Sequence, residues 1–395
     1  MSIFAAMLKE YFLLAAALLF SSFGISQNLT DQSRISLITC GPGDDLYATF
    51  GHSALHIYDT QSGIDKVYNY GTFDFDTPNF YTKFARGKLL YSLNVTSFDQ
   101  FVRIYQYEGR WVFRQDLNLT MDQKKSLYSF LEHNAKPENK DYKYDFFYDN
   151  CSTRLRDVVE DVLGESLVYP IPPEEPDSTF RNFLDLYLYS HPWSDLGIDL
   201  ALGAPCDRVA RWRDRMFLPD YVMKHWDNSF VMVNGKKEPL VAKSGLVLDS
   251  RREKPAEPES IDWIFWVIFA VIGVGGFFVK AEKFRWLDIG LFALIGILGI
   301  FIALLWFATD HSATKWNFNL LWATPTWLYG AILLWRRKTA SRFFKGHALF
   351  MFAIVLFWML IPQDFHMAVV PVVLTLAARS WAWQQHRFLA KKTEV

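Results

Sequence analysis

Two short motifs, Phe50-Gly51-His52-Ser53-Ala54-Leu55-His56 and Tyr148-Asp149-Asn150-Cys151-Ser152, hold the residues of this chain best suited to chemistry. A cysteine turns nucleophilic when its thiolate is favoured, and a helix N-terminus favours it by directing unpaired backbone N–H groups at the sulfur. After Cys151, Leu155, Val158, Val159, Val162 and Leu163 recur at helical spacing; Asn150 is a good N-cap and Gly164 a good stop. The thiol is therefore expected in a first helical turn. Ser53 to Tyr58 alternates as a strand, with His52 at its start on the face of Ala54, His56 and Tyr58. Imidazole and thiol together permit two-step ester or amide chemistry, in which the imidazole takes the proton, the sulfur attacks the carbonyl and a thioester forms. Asn69, on the next strand, is the candidate to hold the imidazole in one tautomer, and His56 and Asp59 compete for that place. Oxyanion donors are expected from the N–H groups of Cys151 and its neighbours.

Taken singly, each of these residues reads as structure: a buried thiol, a core histidine, a helix cap. The combination of a Gly-His strand start with an Asn-Cys helix start is what favours catalysis. His52, His56, His133 and Cys151 could be assembled into a zinc site, yet the chain has neither C-x-x-C nor H-E-x-x-H spacing, so neither metal nor cofactor is expected. Arg154 is a candidate for a phosphate head group, whereas Arg156 reads as a helix-surface partner of Glu160.

The positioning elements read as α+β. Strands are expected near Arg34–Cys40, Phe50–Asp59, Lys66–Thr72, Leu89–Val95 and Trp111–Leu117, and helices near Asn79–Arg86, Ser97–Tyr107, Met121–His133, Cys151–Leu163 and Phe180–Ser190. Residues 170–176 carry four prolines and read as a stiff connector, and the segment 251–260 as a tether. With 395 residues there is room for two or three domains, and a net charge of -1 gives no reason to expect nucleic acid.

Beyond residue 260 the composition is that of a membrane segment. Five apolar stretches stand out, roughly Trp263–Val279, Ile289–Phe307, Leu320–Trp335, Leu349–Pro362 and Met367–Ala378; the last two are short enough that a re-entrant hairpin is an alternative. Lys280, Lys283, Arg285, Arg336, Arg337, Lys338, Arg342, Lys345, Arg379, Arg387, Lys391 and Lys392 follow alternate stretches and face the cytoplasm by the positive-inside rule. Arg251, Arg252 and Lys254 point the other way and are outvoted. The large N-terminal domain then lies outside, which agrees with Lys9, the apolar run Tyr11–Phe20 and the small residues up to Gln27 as a signal peptide, an uncleaved anchor helix being the alternative. The expected order is signal peptide 1–26, exported domain 27–250, linker 251–260 and membrane domain 261–395. Of three cysteines, pairing Cys40 with Cys206 would leave Cys151 free. Asp310, His311, Asn317, Asn319, Gln363, Asp364 and His366 fall in outward loops, either as interfacial anchors with Trp316, Trp322 and Trp327 or as a mouth for lipid substrate.

The His52 and Cys151 motifs resemble the circularly permuted papain-like superfamily of NlpC-type peptidases and lecithin:retinol acyltransferases, across roughly residues 34–165. That resemblance implies His52 as base and Cys151 as nucleophile, without the second-strand histidine of the acyltransferases. Over nearly its full length the chain resembles the Lnb-type lipoprotein N-acyltransferases of Bacteroidota. The resemblance rests on Thr39-Cys40-Gly41-Pro42-Gly43, Phe50–Ala54, Tyr68-Asn69-Tyr70-Gly71-Thr72-Phe73, Asn150-Cys151-Ser152-Thr153-Arg154 and Asn317-Phe318-Asn319-Leu320-Leu321. It implies transfer of an acyl chain from a phospholipid to the N-terminal amine of a lipoprotein, at the bacterial inner membrane with the catalytic domain in the periplasm. Cys151, His52 and Asn69 are then the expected catalytic residues, and Asn150, Arg154, Tyr70, His311, Asn317 and Asn319 the expected substrate-binding ones. A peptidase or amidase acting on cell-wall peptides is the alternative, and a non-catalytic envelope protein a third reading.

Overall fold

A computed structural model describes residues 28–170, 177–250 and 260–386. The expected signal peptide, nearly all of the proline-rich connector, nearly all of the tether and Arg387, Lys391 and Lys392 lie outside the described residues. The described chain is mixed α+β, with a sheet-rich N-terminal domain and a helical C-terminal region.

Seven antiparallel strands form the main sheet. In chain order they are β1 (Arg34–Cys40), β2 (His52–Asp59), β3 (Ile64–Thr72), β4 (Leu90–Thr96), β5 (Val112–Leu117), β6 (Asp141–Lys143) and, far along the chain, β10 (Val241–Leu248). The spatial order is β10-β5-β1-β2-β3-β4-β6. Three short strands, β7 (Leu167–Val168), β8 (Phe230–Val233) and β9 (Lys236–Pro239), make a separate sheet. A short helix, α1 (Phe80–Ala85), lies between β3 and β4, and both faces of the main sheet are covered. On one face Leu55, Ile57 and Tyr68 pack with Leu155 and Val159 of α4 (Cys151–Leu163), Leu127 and Leu131 of α3 (Met121–Asn134) and Trp226 of α7 (Pro219–Asp227). On the other, Cys40, Ala54 and Val67 pack with Phe101 and Tyr105 of α2 (Phe98–Tyr107). Alternation in β2 thus separates two buried faces rather than core from solvent.

The central strands part at one end. Pairing of β2 with β3 stops at Leu55 and Tyr68, and the β3–β4 register shifts between Asn69 and Thr72, where Gly71 takes a φ of +86°. A bulge of this kind bends a strand and re-aims its side chains. The start of β2 and the end of β3 therefore splay, and the N-terminus of α4 fits between them.

Cys40 and Cys206 are both buried and free. Cys40 sits under α2, whereas Cys206 packs with Phe180 and Leu184 of α5 (Phe180–Leu188) and directs its Sγ to the Ala313 carbonyl. The suggested disulfide is corrected: the two thiols belong to different clusters.

In the C-terminal region the first apolar stretch is helical as α8 (Asp262–Ile268) and winds irregularly to Phe277. Helix α9 (Arg285–Phe307) follows; with its lead-in from Ala281 it forms the one helix among the described residues long and apolar enough to cross a membrane, 27 residues. Trp286 and Trp335 meet at its basic end and Trp306 and Trp316 at the other, the spacing of two interfacial belts along about 30 Å of helix. The third stretch breaks into α10 (Asn319–Trp322) and α11 (Thr326–Trp335) around Pro325. Helix α12 (Ser341–Leu356) begins before the expected fourth stretch, and α13 (Val369–Gln384) runs past the fifth. Trp322 and Trp327, expected at an interface, are instead core residues that donate to the Asn319 side chain and the Trp322 carbonyl.

Candidate active site

Helix α4 begins at Cys151 because Asn150 caps it. The Asn150 Oδ1 accepts from the N–H groups of Ser152 (2.8 Å) and Thr153 (2.9 Å), and its backbone N–H donates to Thr153 Oγ1. The Asn150 Nδ2 donates to the carbonyls of Phe146 and Phe217, both at 2.8 Å, so the cap is locked from two sides. The cap takes the N–H groups of Ser152 and Thr153 but not that of Cys151. Among the oxyanion donors expected at this helix start, the Cys151 N–H alone is left by the cap. Gly71 lies so near that an added Cβ would stand 3.4 Å from the Cys151 Cβ, and its positive φ excludes most other residues as well.

His52 enters from β2 after Gly51, which has a φ of +77° and would bring a Cβ within 2.9 Å of the Cys40 carbonyl. The His52 Nε2 meets Asn69 Oδ1 at 2.5 Å, and the ring lies over Tyr105, centroids 6.4 Å apart and planes within 20°. His52 and Cys151 line the same cavity, near enough that each acts on the other's charge. Burial pulls the imidazole down, but the Cys151 charge and hydrogen bond, with Asn69, outweigh it and raise His52 above its ordinary value. Burial likewise pushes the thiol up, and the His52 charge and hydrogen bond, with the Ser53 backbone and Ser152, bring it below the ordinary thiol range. Each partner stabilises the charged form of the other, the arrangement of a thiolate–imidazolium pair.

Cys151, His52, Asn69 and Asn150 line one cavity of about 570 Å³. Its walls are mostly apolar, with Phe73, Phe75, Phe84, Leu89, Phe146 and Phe217 prominent among them. His311, from the loop after α9, also lines it and bonds the Phe84 carbonyl at 2.9 Å. The remaining expected residues lie elsewhere. Tyr70 is buried against Tyr142. Arg154 forms an ion pair with Asp149 at 2.6 Å and stacks on Tyr142, which removes it from the cavity. Arg156 pairs with Asp157 rather than Glu160. Asn317 and Asn319 are fully buried and donate to the carbonyls of Leu200, Ala201 and Asp199, joining the helical region to α6 (Pro192–Ala201). They act as a clamp between domains, away from the cavity.

The competitors for the third place are also positioned. His56 bonds Asp65 at 2.8 Å and stacks on Phe98 in a different groove, and Asp59 accepts from Thr30, Gln61 and Ser62. His133 sits beside Asn139, so the histidines of the zinc alternative are dispersed. Among the described residues the ligand atoms of Asp185, Asp195 and Asp199 lie within 4.8 Å of one another, but Asp199 already pairs with Arg181 and none of the three lines the cavity.

Sequence reasoning missed Arg110 and Glu108, which line the cavity beside the motifs. Arg110 directs its Nε to the Gly41 carbonyl at 2.7 Å and its Nη1 to Glu108 at 2.7 Å. The signal available was the Thr39–Gly43 turn: Gly41 has no room for a Cβ against Trp111, and Gly43 little against Arg110.

Residues 20–182 match the family model of the Lnb N-terminal periplasmic domain, and residues 251–391 that of the Lnb transmembrane domain. No curated protein and no solved structure matches the chain.

Proposed function

Because the chain belongs to the Lnb family, a membrane-associated group of lipoprotein biosynthesis, we propose that it is a thiol-dependent acyltransferase using a phospholipid donor and a lipoprotein N-terminal amine as acceptor. The observation that carries this reading is the Cys151–His52 pair, with Asn69 behind it, at an apolar cavity that a loop of the helical region helps to line.

The reaction divides into two balanced steps. The Cys151 thiolate attacks an ester carbonyl of the phospholipid, the carbon–oxygen bond to glycerol breaks, and the departing oxygen takes the proton from the His52 imidazolium, leaving lysophospholipid and a thioester. The neutral amine of the lipoprotein cysteine then attacks the thioester, His52 receives its proton, and the carbon–sulfur bond breaks to restore the thiolate. Asn69 fixes the imidazole throughout. The Cys151 N–H, which the Asn150 cap does not take, is the donor for the oxyanion of each step in this reading.

A lipid donor suits the surroundings. Tyr47, Phe75 and Phe84 line the cavity and are also more than half exposed at its rim, and Tyr81 beside them is 79% exposed. This rim adjoins the membrane domain: Asp310 N–H donates to the Arg86 carbonyl, and His311 bonds Phe84. The end of α9 that contacts the N-terminal domain is opposite the basic end with Lys280 and Lys283, which supports a periplasmic catalytic domain above an inner-membrane, multi-pass region. A histidine-bearing strand ahead of an Asn-Cys helix is the order of the permuted papain-like superfamily, to which we assign the N-terminal domain. His311 is retained as a substrate-side residue.

Full-length protein in detergent, supplied with phospholipid carrying a labelled acyl chain and a synthetic diacylglyceryl-cysteinyl peptide, should give a peptide bearing a third, hydroxylamine-resistant acyl chain. Cleavage of an unlipidated cell-wall peptide without acyl transfer would instead select the peptidase reading.

A further inference from the structure

Resting on that reading of the donor, we propose that Arg110 is the seat of the phospholipid phosphate. In a glycerophospholipid the reacting ester and the phosphodiester are carried by one glycerol unit. A cavity that presents the ester to Cys151 must therefore accommodate an anionic phosphate close by. Among the described residues that line this cavity, Arg110 is the only lysine or arginine. Arg154, the arginine expected from the sequence, is withdrawn by Asp149 and Tyr142.

The arginine is built in rather than loosely attached. It is 5% exposed, its Nε and Nη1 are held by Gly41 and Glu108, and its guanidinium lies 4.7 Å from the centre of the Tyr105 ring. Its Nη2 is buried and has no hydrogen-bond partner. A buried donor without an acceptor is costly, and a ligand oxygen would relieve that cost. Planar guanidinium is suited to phosphate oxygens. Glu108 neutralises one edge of the group, so selectivity rests on directed hydrogen bonds rather than on net positive charge. Tyr105 also stacks on His52, so the phosphate seat and the base pack against one aromatic ring.

The test compares two donors that differ only in the phosphate head. Dioleoyl phosphatidylethanolamine and dioleoylglycerol, each in mixed micelles, are offered to full-length wild type, Arg110→Gln and Arg110→Lys, and the acyl mass on Cys151 is followed with time. Loss of a charge-assisted hydrogen bond should lower the phospholipid-to-diacylglycerol rate ratio about tenfold or more in Arg110→Gln, mainly through KM, with partial recovery in Arg110→Lys. An unchanged ratio, whether both rates fall together or neither falls, overturns the assignment. Binding of dihexanoyl phosphatidylcholine against dihexanoylglycerol to the Cys151→Ala protein, measured by calorimetry with and without Arg110→Gln, separates the two claims. If wild type forms no thioester but Arg110 still governs phospholipid preference in binding, the acyl-transfer reading fails and the phosphate seat stands. If preference in binding is independent of Arg110, the seat fails.

Discussion

At the residue scale, the proposed function rests on a thiol and an imidazole that sustain each other's charge. The thiolate should persist below the ordinary thiol range, because His52 lowers Cys151, and the imidazolium should persist above the ordinary imidazole range, because Cys151 and Asn69 raise His52. Iodoacetamide should therefore alkylate Cys151 at pH values where an ordinary thiol is inert, and His52→Gln should move the reactive limb to higher pH. An unchanged pH profile in His52→Gln would remove the imidazole from the account. We expect His52→Gln to slow acyl transfer about 100-fold or more, and Asn69→Ala to slow it less, since Asn69 orients the base without exchanging the proton. Both motifs were legible in the sequence because an N-cap, a helical apolar period and a strand start are local signals. Arg110 was not, because its role depends on the Gly41 carbonyl, which lies 69 positions away along the chain. Arg154 differs: Asp149 is close to it in sequence, yet only the fold discloses that Asp149 and Tyr142 hold its guanidinium away from the cavity.

At the scale of elements, α4 and the splayed end of β2 and β3 form the positioning device. Asn150→Ala removes the cap and leaves the buried carbonyl of Phe217 and the partly buried carbonyl of Phe146 without their donor. The expected cost is about 2 kcal/mol or more, visible as a lower thermal midpoint together with loss of Cys151 reactivity. In the helical region, Arg379 of α13 binds Asp288 of α9 through two hydrogen bonds of 2.8 and 2.7 Å, and Trp383 adds a third at 2.7 Å, all fully buried or nearly so. Removing one partner should destabilise by about 3–5 kcal/mol, whereas replacing both by apolar residues should recover much of it. Thermal melts of Asp288→Leu, Arg379→Leu and the double variant in one detergent check this; equal losses in all three would mean that pairing is not what matters. Apart from the three-residue β6, which is too short to show a period, the strands and helices of the first 165 residues were legible because each segment carries its own period. The strand β10 was not, since its residues are mostly exposed and it reaches the sheet edge only by pairing with β5 across a long intervening chain. Helix breaks near Pro325 escaped for a different reason: apolar composition marks a stretch without marking where its helix begins.

At the scale of the whole molecule, the site is completed by both parts of the chain. Asn317, Asn319 and Gln363 bind carbonyls of residues 199–202, and Asp310 and His311 bind the segment 84–86 at the cavity rim. The exposed aromatics there offer apolar surface where the two parts meet. Replacing Tyr81 and Phe84 together by serine should depress acylation from phospholipid in nanodiscs more than from a monodisperse short-chain phospholipid; equal loss from both would place these residues in the chemistry rather than at a lipid-facing lip. The membrane character of residues after 260 was plain from composition, but the use of Asn317 and Asn319 as a clamp between domains could not be read from a list of outward polar residues.

The most direct test of the central claim is the intact mass of full-length protein after exposure to phospholipid with a labelled acyl chain, compared with Cys151→Ala. We expect wild type to gain one acyl mass that hydroxylamine removes, and the variant to gain none. Wild type that stays unmodified while a known acyl-enzyme is labelled alongside it, or a variant that is modified equally, would contradict the proposal that Cys151 carries the acyl chain.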